Sequence, residues 1–147
     1  MPFQSYSAVF PLILNDTKTE ILLHLRQNTG YMDGFWDTAG SGHVDAGETA
    51  LQAATRECRE ELGIEVATDQ LEFAHLCHSV EPTGRTYYHI YFLVKHFDGT
   101  PTNMELEKAV ELRWFPLDAL PDQMVAIRKN AVLAWQIGTS YSEHFVE

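Results

Sequence analysis

A mixed α/β sandwich is the fold class this sequence predicts. Strand-like apolar runs precede and follow a helix-like stretch, and a second helical stretch lies near the C-terminal end. Size agrees: 147 residues with 45% apolar side chains suffice for one domain around one core, residues 1–147, and are too few for two comfortable ones.

The elements follow in order. "YSAVFPLIL" and "EILLHLR" read as two strands around a turn at "NDTKT". Pro11 marks the first as an edge strand or an irregular one, because proline donates no ladder hydrogen bond. "QNTGYMDGFWDTAGSGHVDAGE" is a long glycine-rich loop, and a loop of that length in a compact domain is usually functional. A helix is expected over roughly Ala50 to Leu62. Strands are expected near Leu71–Ser79 and Thr86–Phe97, joined by the turn-rich "VEPTGR". After the loop "DGTPTNMELEKAV", "ELRWFPL" reads as a short strand. "DQMVAIRKNAVLAWQI" reads as a closing helix stopped by Gly138. The tail "TSYSEHFVE" carries no periodic signal.

Charge narrows the function. A net charge of −11 lacks the basic surface that a broad grip on nucleic acid requires. No apolar run approaches the roughly 20 residues that span a bilayer. The start "MPFQSYSAVF" lacks a basic segment followed by an apolar core, so no secretory signal is expected. Cys58 and Cys77 stand in apolar contexts without metal-ligand spacing and read as reduced core thiols of a cytoplasmic protein.

The helix around Glu57 poses the main question. Thr49 and Gln52 fit a capping box at its start. Gly63 fits the left-handed residue past its end, with Ile64 folding back onto Cys58. Leu51, Ala54, Cys58 and Leu62 recur at helical spacing and predict a buried stripe. Glu57, Glu60 and Glu61 fall at i, i+3 and i+4 and share a face. Glu57 and Glu61 repel by roughly 0.2–0.5 kcal/mol. Glu60 and Glu61 also oppose the dipole of the last turn, by about 0.3–1 kcal/mol. A solvated face, with Arg56 pairing Glu60, is one reading. The other is a divalent-cation site, since oxygen-only ligands suit hard ions such as Mg²⁺, Mn²⁺ or Ca²⁺.

Spacing separates these readings. Five residues part Gly42 from Glu48, and seven part Glu48 from Arg56; then come Glu57, Cys58, Arg59, Glu60, Glu61, Leu62, Gly63 and Ile64. This resembles the signature of the Nudix hydrolases: G, five residues, E, seven residues, R-E-U-x-E-E-x-G-U, with U aliphatic. All seven fixed letters match, over 23 residues. Cys58 departs from the aliphatic U and is a mild change. Upstream, "WDTAGSG" resembles the family's Trp-x-x-Pro-Gly-Gly run, with Ala39 in place of proline and Ser41 in place of a glycine.

The resemblance implies a Nudix-type α/β/α sandwich with a mixed sheet. It also implies a hydrolase that cleaves the diphosphate linkage of a small nucleotide by water attack at phosphorus. A nucleoside triphosphate is the leading substrate type. ADP-ribose, a nucleotide sugar or a dinucleotide is the alternative, and a nucleotide-sensing domain without catalysis is a second one. Such sensors usually lose box glutamates, and this chain keeps them. The implied cofactor is Mg²⁺, with Mn²⁺ as a substitute, which would let an acidic protein hold a polyphosphate. The implied metal ligands are Glu57, Glu60, Glu61, the Ser41 carbonyl and Glu105, with Glu107 the competitor of Glu105. Either Glu57 or a loop acid such as Glu105 is the expected base. Arg56 is expected to orient a glutamate. Glu48 is assigned to fixing the loop or to an outer metal shell, and Gly42 and Gly63 to the motif's turns. A homodimer is compatible with the resemblance.

Other residues carry weaker expectations. His43 follows the box glycine, and either contacts substrate or packs the loop. Gln123, near the last helix, is expected to read a base. His24, His75, His78, His89 and His96 read as structural histidines in strands. Tyr31, Phe35, Trp36, Tyr87, Tyr88 and Tyr91 read first as core, with stacking on a base or lining a pocket as the alternative.

Overall fold

The computed structural model describes residues 1–146. Strand β1 spans Tyr6–Ile13, β2 Glu20–Arg26, β3 Trp36–Thr38 and β4 Gly42–His43. Helix α1 spans Ala50–Leu62. Strands β5, Leu71–Val80, and β6, Thr86–Val94, follow, then β7, Ala109–Pro116. Helix α2 spans Ala126–Gln136, and β8, Tyr141–Phe145, ends the described chain.

Two sheets result. The larger has the order β4-β1-β6-β5-β8; β1 runs parallel to β6, and β5 parallel to β8. The smaller is antiparallel, in the order β3-β2-β7. The continuous apolar run of β1 has a direct cause. Ala8, Phe10 and Leu12 enter the core cluster that holds Ile127, Ala131 and Val132 of α2. Val9 and Ile13 enter the cluster that holds Ala53, Ala54 and Cys58 of α1. A strand covered on both faces has no polar side to alternate with. The result is an α/β/α sandwich with a mixed sheet.

Helix α1 matches its expected bounds. Thr49 Oγ1 accepts from the Gln52 amide at 3.2 Å, and Gln52 Oε1 accepts from the Thr49 amide at 2.9 Å. A cap of this kind is worth about 1 kcal/mol. Gly63 adopts φ 67°, donates to the Arg59 carbonyl, and lets the Ile64 amide reach that of Cys58. The expected stripe needs one correction: Leu51 is exposed. The buried arc takes in Ala53 and Glu57 beside Ala54, Cys58 and Leu62, so its centre turns away from Leu51.

Three other expectations change. Residues Trp36–Thr38 and Gly42–His43, read as loop, form β3 and β4. The closing helix starts at Ala126 rather than Asp122, because the backbone before it is held in extended form by β3. The Trp36 amide donates to the Gln123 carbonyl at 2.8 Å, and the Val125 amide donates to the Trp36 carbonyl at 2.9 Å. The tail forms β8, paired with β5 and anchored by His75, whose ring nitrogens lie 2.7 Å from the Thr139 carbonyl and 2.8 Å from Ser142 Oγ. Pro11 sits beyond β4, which covers only Ala8 and Val9, so that side of β1 has no strand partner in its sheet at Pro11. Cys58 and Cys77 are buried and free. No helix among the described residues is long and apolar enough to cross a membrane.

Candidate active site

The site is a cavity of about 890 Å³ between the two sheets, closed by the glycine-rich loop, the 103–109 loop and the first turn of α2. That volume lies within the range of small-molecule pockets. Two ends of its lining carry the charge, Glu61, Glu105 and Ser41 at the box end and Asp37, Arg128 and His89 at the α2 end, and they lie close enough together for Asp37 to add like charge at Glu61.

Arg56 organises the acidic end. Its Nε and Nη2 donate to both Glu48 oxygens at 3.0 and 2.7 Å, a bidentate pair. Nη1 donates to Glu57 at 2.8 Å and to Glu60 at 3.1 Å, and Nη2 also donates to the His43 carbonyl at 3.0 Å. The Asp45 amide donates to Glu48 at 2.8 Å, closing the turn before the helix. Glu48 thus ties the loop to Arg56, and Arg56 hydrogen-bonds two of the helix glutamates.

The three glutamates do not share one environment. Glu57 is buried, Glu60 is exposed, and Glu61 alone of the three lines the cavity. Gly42 admits Glu57: a Cβ built at Gly42 would overlap the Glu57 carboxylate. This requirement is steric, since the Gly42 backbone is not left-handed. Burial raises the Glu57 carboxyl, against the pull of Arg56. Burial also pushes Glu61 up to about 8, with Glu57 and Glu105 adding like charge and the Gly40 backbone opposing. Among the described residues, no three His, Cys, Asp or Glu side chains already converge as a metal cluster. Arg56 draws Glu57 and Glu60 to itself instead. The donor set nonetheless suits a hard divalent cation: carboxylates crowded at a cost, beside a backbone carbonyl at Ser41.

Of the two loop candidates, Glu105 lines the cavity and Glu107 does not. Its loop is tied down. The Glu105 amide donates to Asn103 Oδ1 at 3.1 Å, and Gln27 and Asn28 donate to the Leu106 and Glu107 carbonyls. His43 lines the cavity with Nε2 3.0 Å from the Tyr87 hydroxyl. Gln123 does not line it: the residue is exposed, and its backbone bond to β3 keeps it outside. Tyr91 and Trp36 are core, as first read. Tyr31 and Tyr87 line the cavity, and so do His24 and His89 of the strand histidines; His96 lies past the end of β6.

The opposite end was not anticipated. Asp37 and Arg128 are both almost fully buried, and Arg128 Nε donates to Asp37 Oδ1 at 2.8 Å. Arg26 Nη1 donates to Asp37 Oδ2 at 3.0 Å. Burial raises the Asp37 carboxyl, but Arg128, His24 and Arg26 outweigh it and hold the group below its ordinary value. The Arg128 guanidinium lies 3.7 Å from the Phe10 ring centroid. In sequence, Asp37 sits in a loop and Arg128 in an amphipathic helix 91 residues away, so no local spacing joins them.

Comparisons with known proteins identify the family. A family model for the NUDIX domain matches residues 5–136. A mouse protein, oxidized purine nucleoside triphosphate hydrolase, is 34% identical over 120 residues, covering 80% of this chain and 71% of that protein. The crystal structure of a MutT NUDIX hydrolase from Burkholderia pseudomallei superposes with a TM-score of 0.77 at 26% identity, covering 89% of this chain and 98% of that one. Arabidopsis thaliana Nudix hydrolase 3 is 38% identical over 68 residues, and that match spans 46% of this chain but only 9% of the plant protein. With Gly42 and Glu61 of the box lining the cavity and the family model matching nearly the whole chain, this protein belongs to the Nudix hydrolase family.

Proposed function

We infer that this chain, as a single domain over residues 1–147, is a Mg²⁺-dependent pyrophosphohydrolase of a small nucleotide, with a nucleoside triphosphate the leading substrate. The observation that carries this is that Glu61 of the box and Glu105 line one nucleotide-sized cavity, with Glu57 near enough to add like charge. The mouse relative's name, a nucleoside triphosphate hydrolase, supports the substrate type. The metal ligands in this reading are Glu57, Glu60, Glu61, Glu105 and the Ser41 carbonyl, with Mn²⁺ able to replace Mg²⁺.

Bound metal would stabilise charge on the attacking and leaving oxygens and acidify the attacking water. The chain's own residues do the rest. Arg56 is a positioning residue that presents Glu57 and Glu60 at a fixed angle. Gly42 leaves the space that Glu57 fills. Glu57 or Glu105 takes the proton of the water. His43, on the cavity wall next to the box glycine, contacts the polyphosphate.

The test is hydrolysis by purified protein of a panel of nucleoside triphosphates, ADP-ribose, dinucleotides and nucleotide sugars, with Mg²⁺ and with EDTA. Metal-dependent release of pyrophosphate or phosphate from triphosphates is expected. Cleavage of ADP-ribose alone would overturn the substrate type, and cleavage of nothing would overturn the enzyme.

A further inference from the structure

The α2 end of the cavity has an uneven hydrogen-bond inventory. Its acid, Asp37, is spent: Oδ1 accepts from Arg128 Nε and from the Thr38 amide, and Oδ2 accepts from Arg26. Arg128 is not spent. Nη1 meets the Tyr91 hydroxyl at 3.1 Å and His89 Nδ1 at 3.3 Å, while Nη2 has no hydrogen-bond partner among the described residues. The side chain is 5% exposed, and what it reaches is the cavity it lines. An arginine can only donate, so His89 Nδ1 must accept and the ring proton sits on Nε2. That N–H also lacks a partner among the described residues, and His89 lines the same end. Burial and the adjacent Arg128 push His89 down to about 3, in keeping with a neutral ring.

This end therefore offers two unpaired donors, Arg128 Nη2 and His89 Nε2–H, while the carboxylate beside them, Asp37, already accepts three hydrogen bonds. A buried donor facing another donor is left unsatisfied, which costs far more than a mere mismatch of shape. We propose that Arg128 and His89 are specificity-determining residues that select a nucleobase presenting a carbonyl at its exocyclic edge over one presenting an amino group. The proposal rests on the nucleotide reading above and names the base class that the site takes. The guanidinium is fixed for this task from three sides, by Asp37, by Tyr91 and by the Phe10 ring.

Two matched pairs of substrates vary that edge, the oxo members carrying N–H at the adjacent ring nitrogen where the amino members carry a bare acceptor. ITP and ATP differ at the purine 6-position, oxygen against amine, and UTP and CTP differ likewise at the pyrimidine 4-position. Expected is a kcat/KM at least about tenfold higher for the oxo member of each pair. Arg128→Lys keeps a cation for Asp37 and removes Nη2; His89→Phe removes the second donor without touching that ion pair. In either variant the oxo-to-amino ratio should fall toward one. A purely structural role would lower both members of a pair equally and leave the ratio intact, and that result overturns the assignment. Equal rates within both pairs for the unmodified protein overturn it without any variant. A second readout, the thermal shift with IMP against AMP in EDTA, needs no turnover. If no triphosphate is cleaved, the activity fails while this binding arm still decides the selectivity: a larger shift with IMP upholds it, and equal shifts overturn it.

Discussion

The two ends of the cavity hold charge in opposite ways. At the α2 end, Asp37 meets two guanidiniums, so its charge is matched within the fold. At the box end, Glu57 and Glu105 add like charge at Glu61; Arg56 serves Glu48, Glu57 and Glu60, Lys108 lies 4.0 Å from Glu105, and Glu61 has no ion-pair partner among the described residues. The lesson is that a buried charge paired inside the protein supports the structure, whereas one left without a counter-charge waits for a ligand.

Substitutions at the two ends should therefore fail differently. The largest effect belongs to Glu61→Gln, which removes charge from the crowded end. Its kcat/KM should fall about 100- to 1,000-fold, while its metal-free melting temperature should not drop. Full Mg²⁺-dependent activity would remove Glu61 from the metal site. Asp37→Asn should do the reverse. It deprives the buried Arg128 of its counter-charge and should cost about 3–5 kcal/mol in chemical denaturation. Wild-type stability in that variant would break the contrast between the ends.

The pH dependence of stability sharpens the contrast further. The Glu61 carboxyl is raised from 4.5 to about 8 in the folded protein, by burial and then by Glu57 and Glu105. Between those values the folded state holds a proton that the unfolded chain has released. Metal-free stability should then fall as pH rises from about 4.5 to 8. Mg²⁺ should flatten that fall, and so should Glu61→Gln. Melting curves at several pH values, with EDTA or Mg²⁺, check both. The smallest effect is Gln123→Ala. An exposed residue outside the cavity should change substrate preference by less than about twofold, well under 1 kcal/mol. A larger change would place Gln123 at the base after all.

The box end was legible and the α2 end was not. Helix α1, its capping box, its left-handed end and the register of Glu57, Glu60 and Glu61 all follow from local spacing, because a helix converts sequence separation into direction. Leu51 was misplaced because spacing defines a face and not the angle at which it docks. Strands β3, β4 and β8 were missed for a related reason. They are two to five residues long and held by distant partners, so their own side chains carry little periodicity.

By itself, the sequence determined the layered α/β class, the Nudix box and the charge conflict within it, since each depends on residues within one element or on the total pattern of elements. Only the tertiary structure decided that Glu61 lines the cavity while Glu57 lies buried behind Gly42, that Glu105 rather than Glu107 joins them, and that Arg128 meets Asp37. The physical reason is range: hydrogen bonds between neighbouring turns are encoded in spacing, whereas contacts across the cavity join residues whose separation along the chain says nothing about their distance in space.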